Sequence, residues 1–123
     1  MTAAEGYTLV VCASASCRSQ WHGQLVDALR AMVRASRHGM LVTSGCTLGR
    51  LACRLRAPGP LVLVQPCDAR RRPTGRAVRI GPLSCQDDLA AVRTWIEARR
   101  FDPGLLPRHL VEAHRTMCAA AQN

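Results

Sequence analysis

The sequence predicts an α/β domain, and three observations carry that prediction. Short charge-free runs rich in Val and Leu are interleaved with stretches whose apolar residues recur at helical spacing. The joins between them are short, as in βαβ units. Of the 123 residues 48% are apolar, enough to bury one core but too few residues for two domains.

The elements follow in order. Residues 8–12 (Thr-Leu-Val-Val-Cys) read as a buried strand that ends in the small residues Ala13, Ser14, Ala15 and Ser16. Over 24–36, Leu25, Leu29, Met32 and Val33 recur at helical spacing with Arg30 and Arg34 off the stripe, and His38-Gly39 ends the helix. Residues 40–43 form a second strand, and strand, helix and strand with short joins imply a right-handed unit with parallel strands. Residues 48–55 suit two helical turns, which Ala57-Pro58-Gly59-Pro60 must break.

The third strand, 61–65, carries no charge and is expected to be central or covered on both faces. Residues 66–75 form a turn-rich loop, and 77–80 a fourth strand antiparallel to the third. Ser84 and Asp87 have the S-x-x-D spacing of a helix start, and Leu89, Val92, Trp95 and Ile96 supply the buried stripe of a helix running to Arg100. Asp102-Pro103-Gly104 interrupts the chain, and Pro107 opens a last helix with Leu110, Met117 and Cys118 on one side. The expected organisation is a domain over 1–101 and a C-terminal helical extension over 102–123.

All 17 basic residues are arginine, and the net charge is +9. The excess is local: residues 41–80 hold eight arginines against Asp68 alone, whereas 81–123 are neutral. Arg50, Arg54, Arg56, Arg70, Arg71, Arg72, Arg76 and Arg79 therefore define a candidate basic surface for an acidic protein partner. Nucleic acid is the less favoured partner, because no aromatic residue lies among 50–79 to stack on bases. No apolar run approaches the roughly 20 residues of a membrane span, and no basic stretch followed by an apolar one opens the chain. A cytoplasmic protein is the expectation.

Seven cysteines, an odd number, do not suit a secreted disulfide framework. Cys12 ends the first strand, Cys17 follows at C-x4-C, and Cys46 lies just past the second strand. Parallel strands end at one edge of their sheet, so the loops leaving that edge can bring these thiols together. Thiolates so grouped favour zinc or an iron–sulfur cluster. No C-x-x-C occurs for dithiol redox catalysis, and neither a dinucleotide fingerprint nor a phosphate loop is present. His109 and His114 are five residues apart, about 140° around a helix, so they do not form a metal-binding pair. His22 reads as solvated, and Ser14, Ser16 and Ser19 as hydrogen-bond donors to sulfur, with no partner that would make them nucleophiles.

The order β-α-β-β-β-α is that of a pared-down thioredoxin fold. Val10-Val11-Cys12 with Cys17, then Gly45-Cys46, then Gly59-Pro60-Leu61-Val62-Leu63-Val64-Gln65-Pro66 make the chain resemble the thioredoxin-like [2Fe-2S] ferredoxins, a family that includes the ferredoxin-fold small subunit of NADH dehydrogenase. The resemblance covers residues 7–100. It implies a mixed four-stranded sheet, a [2Fe-2S] cluster, and one-electron transfer or a cluster-dependent accessory role rather than catalysis.

One departure stands out. The family's C-x3-C pair would put a cysteine at position 50, where Arg50 stands. The implied ligands are then Cys12, Cys17, Cys46 and Cys53, the last because seven residues are close to two helical turns. Cys85, just beyond the fourth strand, is the alternative fourth ligand. A zinc site, or a cluster-free interaction module using the basic surface, are the competing outcomes, and a homodimer is open. Cys67, at the far end of the third strand, and Cys118 read as structural, and Pro60 is a candidate cis proline.

Overall fold

Tyr7, Leu9 and Val11 are wholly buried and alternate with half-buried Thr8 and Val10, the period of a strand that turns one face to a core. The structure, a computed structural model, describes residues 6–12, 22–44, 61–112 and 114–115. Its strands are β1 (Gly6–Cys12), β2 (Gly39–Ser44), β3 (Val62–Cys67) and β4 (Val78–Ile80). Helix α1 spans His22–Ala35 and α2 spans Gln86–Glu97, followed by a 3-10 turn at Pro103–Leu105. Residues 108–112 and 114–115 are helical again.

The strands form one mixed sheet in the order β2-β1-β3-β4. β1 and β2 are parallel, while β3 is antiparallel to both β1 and β4. The parallel pair around α1 and the hairpin of β3 and β4 agree with the sequence reading. β3 is internal, as its lack of charge implied, with Val62 and Val64 buried and Leu63 and Gln65 half-buried.

One sheet face, carrying Leu9, Val11, Val62, Val64, Val78 and Ile80, shares a core with the apolar stripes of both helices. α1 contributes Leu25, Leu29, Met32 and Val33, the residues its periodicity marks, and α2 contributes Val92, Trp95 and Ile96. Leu89, expected in that stripe, is only partly buried against the cluster. Phe101, Leu106, Leu110 and Val111 join the same core, so the chain beyond residue 101 packs onto the sheet domain. On the other face Met40 and Val42 are exposed.

The start of α2 differs from the sequence expectation by one residue. Its N-cap is Cys85, in extended conformation and without a side-chain cap. The third helical residue is therefore Asp88, not Asp87, and its Oδ2 accepts from the Ser84 amide at 2.9 Å and from the Ser84 hydroxyl at 3.1 Å. The S-x-x-D pattern located the helix, but a carboxylate one turn in reaches the residue before the cap. α2 also stops at Glu97, because Arg99 takes a left-handed conformation (φ 59°) that a right-handed helix cannot continue.

Candidate functional site

The register of the sheet defines its upper edge. Cys12, the last residue of β1, is the register partner of Ser44, the last residue of β2. Val62, at the start of β3, pairs with both Val11 and Ile80, so β3 begins and β4 ends at that same edge. The segment carrying Cys17, the segment carrying Cys46 and Cys53, and the approach to Cys85 all leave from or arrive at it. Cys85 itself is exposed at the head of α2. Cys17, Cys46, Cys53 and Cys118 lie outside the described residues, as do Arg50, Arg54, Arg56 and Pro60. The cis proline among the described residues is Pro82, after Gly81. Among those residues no three His, Cys, Asp or Glu side chains come together as a metal site.

Cys67 lies at the opposite end of the sheet, paired with Gly6. It is buried, and Arg71 Nη1 approaches its sulfur at 3.7 Å. That arginine, though exposed, is also a strut: the same Nη1 donates to the carbonyls of Tyr7 (3.2 Å) and His38 (2.9 Å). The basic residues of the β3–β4 connection thus divide by role. Arg72 pairs with Asp68 at 3.0 Å, and Asp68 Oδ1 also accepts from the amides of Arg70 and Arg72. The Arg72 amide, with further help from Arg70 and the Arg72 guanidinium, holds the Asp68 carboxyl below its usual range. Arg70 and Arg76 are exposed, whereas Arg79 is half-buried with its Nε enclosed.

The C-terminal segment carries two histidines with different tasks. His109 Nε2 lies 2.8 Å from Asp88 Oδ1. Burial pushes the Asp88 carboxyl up, but the hydrogen bonds from His109 and Ser84 outweigh it and leave the group below its ordinary value. Ser84, Asp88 and His109 do not make a nucleophile, because the hydroxyl bonds to the carboxylate and not to the imidazole. Asp88 is instead a tie between α2 and the chain end. His114 is buried, and its Nδ1 accepts from the Arg79 amide at 3.2 Å. Burial, and then the charges of Arg79 and Arg76, lower its pKa. The Gly81 amide donates to the Leu110 carbonyl at 2.8 Å, so the chain end supplies acceptors along the outer edge of β4.

A second concentration of interactions surrounds Tyr7 at the lower end of β1. Its hydroxyl donates to Ser36 Oγ at 2.7 Å, and Ser36 donates onward to the Met32 carbonyl. The Arg99 guanidinium sits 5.1 Å above its ring, and the Phe101 ring lies at 6.2 Å. The Tyr7 amide donates to His38 at 3.1 Å. His38, Arg71, Arg99 and Phe101 are the non-glycine residues of positive φ among those described, and each of the four touches Tyr7. Left-handed backbone at such side chains costs roughly 1–2 kcal/mol each and persists only where surrounding contacts hold it.

Beside Tyr7, the ends of α1 and α2 enclose a cleft of about 200 Å³ lined by Met32, Ser36, Arg37, Arg93, Ile96, Glu97 and Arg99 among others. Sequence periodicity did not mark this place, since Arg93 and Arg99 lie off the stripe of Val92, Trp95 and Ile96. The left-handed Arg99 sits where glycine is the usual signal.

No protein-family model matches the sequence, and comparison with curated proteins and with solved structures returned no significant match.

Proposed function

We propose that the chain is a cytoplasmic, thioredoxin-like [2Fe-2S] protein that serves as a one-electron carrier, or as a cluster-dependent accessory protein, for an acidic partner. The observation that carries this reading is the shared edge. Cys12 is level with the end of β2, and the connections bearing Cys17, Cys46, Cys53 and Cys85 all open from that edge. The β-α-β-β-β-α order of a mixed sheet supports the thioredoxin-like fold.

The donor chemistry fits the group, since thiolates are the ligands such clusters take. Cys12, Cys17, Cys46 and Cys53 are the proposed ligands, with Cys85 the alternative fourth. The chemistry a [2Fe-2S] cluster supplies when bound is one-electron exchange without bond making. The chain's part is to fix the ligands on a rigid sheet edge and to limit their contact with water. The basic residues Arg70 and Arg76, exposed on the β3–β4 connection, offer charge for an acidic partner.

Anaerobic purification followed by visible absorption and iron, sulfide and zinc analysis tests this. A brown protein with about two irons per chain, bleached on reduction, is expected. A colourless protein with one zinc overturns the redox role, and a folded metal-free protein overturns the metal site altogether. Cys53→Ser and Cys85→Ser, made separately, assign the fourth ligand, because only loss of a ligand shifts the spectrum.

A further inference from the structure

The cleft between the ends of α1 and α2 gathers more positive charge than its surroundings neutralise. Arg37, Arg93 and Arg99 line it together with one carboxylate, Glu97. Glu97 is committed to Arg93 at 3.2 Å, in a pair exposed on both sides. Arg99 spends one nitrogen on the Arg37 carbonyl, 3.1 Å from its Nη2, and one face of its guanidinium on the Tyr7 ring. Its Nη1 is enclosed and has no hydrogen-bond partner among the described residues. An enclosed guanidinium N–H without an acceptor is costly.

Helix C-termini attract cations, which accounts for arginines near Ala35 and Glu97. It does not account for three arginines gathered on one cleft with a single carboxylate among them. Ser36 does not serve Arg99 Nη1: its hydroxyl donates to Met32 and accepts from Tyr7, and Nη1 makes no bond to it. The floor is apolar, formed by Met32 and by Ile96, so a charge placed there is screened less than at the open surface.

We infer that this cleft is a binding site for a phosphate-type dianion, either free phosphate or the monoester head of a larger molecule. Three guanidinium groups against one carboxylate leave two net positive charges in the lining, which matches a dianion. The planar forks of arginine suit a tetrahedral oxyanion, and Arg37, Arg93 and Arg99 line the cleft together. The site lies at the end of the sheet opposite the cysteine edge, so it stands independently of the cluster.

The test is a titration of the full chain at constant ionic strength, held with sodium chloride. Inorganic phosphate and phenyl phosphate serve as probes, with arginine Nε–H NMR signals and thermal midpoint as readouts. Saturable shifts of the Arg93 and Arg99 signals are expected, with a rise in midpoint. Arg93→Gln, at an exposed position that leaves the core intact, should weaken binding about tenfold. Glu97→Gln should tighten it several-fold, while the same charge change at Glu112→Gln should not. Arg72→Gln, outside the cleft, should leave affinity unchanged. Tighter binding of phenyl phosphate identifies a monoester as the ligand, and equal binding identifies free phosphate. Shifts no larger than chloride alone produces, or equal weakening by Arg72→Gln and Arg93→Gln, overturn the proposal in favour of a diffuse effect of the net charge.

Discussion

His114 Nδ1 accepts a hydrogen bond from the backbone amide of Arg79, on the outer edge of the last strand of the sheet. A side chain from the chain end thereby supplies an acceptor to a strand edge that would otherwise invite pairing with another chain. The bond requires the imidazole to be neutral at Nδ1, and Arg76 and Arg79 oppose its charging.

The folded pKa of His114 lies below its ordinary 6.5, so the stability gained from the neutral ring is present above that value. It is lost as the pH falls toward the lowered folded value, where the unfolded chain binds the extra proton. Chemical denaturation at about pH 7.5 and about pH 5.5 should show a larger loss for the wild type than for His114→Asn, whose amide oxygen mimics Nδ1 without titrating. Equal losses would remove His114 from this role.

Asp88 is buried and accepts from Ser84, while His109, its other partner, is 65% exposed. The two partners should therefore respond differently. Asp88→Asn should cost about 1–2 kcal/mol by urea denaturation at neutral pH, because a buried carboxylate acceptor is lost. His109→Gln should cost under about 1 kcal/mol, as exposed pairs do. The Asp88 carboxyl is held below its ordinary 3.8, so its contribution persists above that value and disappears as acid protonates it.

Arg99 adopts φ 59°, a conformation that glycine takes without penalty. Arg99→Ala removes the contact with Tyr7 and the bond to Arg37 but keeps the strained backbone. Arg99→Gly removes the same contacts and relieves the strain. The alanine variant should be the less stable of the two by about 1 kcal/mol, which reverses the order normally seen within a helix and is readable from thermal midpoints.

Cys85 is exposed and Cys67 is buried under Arg71. Native alkylation followed by peptide mass mapping should modify Cys85 and spare Cys67. Repeated on iron-loaded protein, continued modification of Cys85 excludes it as the fourth ligand, and protection supports it.

Much of the frame was legible because it rests on local pattern. The strands announce themselves as charge-free Val and Leu runs, and Leu25, Leu29, Met32 and Val33 mark the buried side of the first helix. His109 and His114, five residues apart, turn to different partners, Asp88 and Arg79. What pattern could not reach were side chains whose direction is set by distant partners. Arg71 sits in a run of three arginines that reads as solvent-facing, and it is exposed, but its guanidinium also braces the carbonyls of Tyr7 and His38. Arg99 occupies a left-handed position with no glycine to flag it. The shift from Asp87 to Asp88 at the second helix has a similar cause, because capping depends on where the backbone first turns helical. The candidate ligands Cys17, Cys46 and Cys53 belong to segments outside the described residues, so their reading rests on spacing and on the common edge.

Tyr7 stands near the start of the chain, yet the residues that enclose it arrive at positions 38, 71, 99 and 101. During synthesis the first strand therefore waits with its largest side chain uncovered until almost the whole domain has left the ribosome. The parallel pair around the first helix can form early, but the lower end of the sheet closes only when the second helix and Phe101 are in place. The lower end of the sheet is thus the last part of this domain to close, and nascent chains truncated before residue 99 should keep Tyr7 open to solvent.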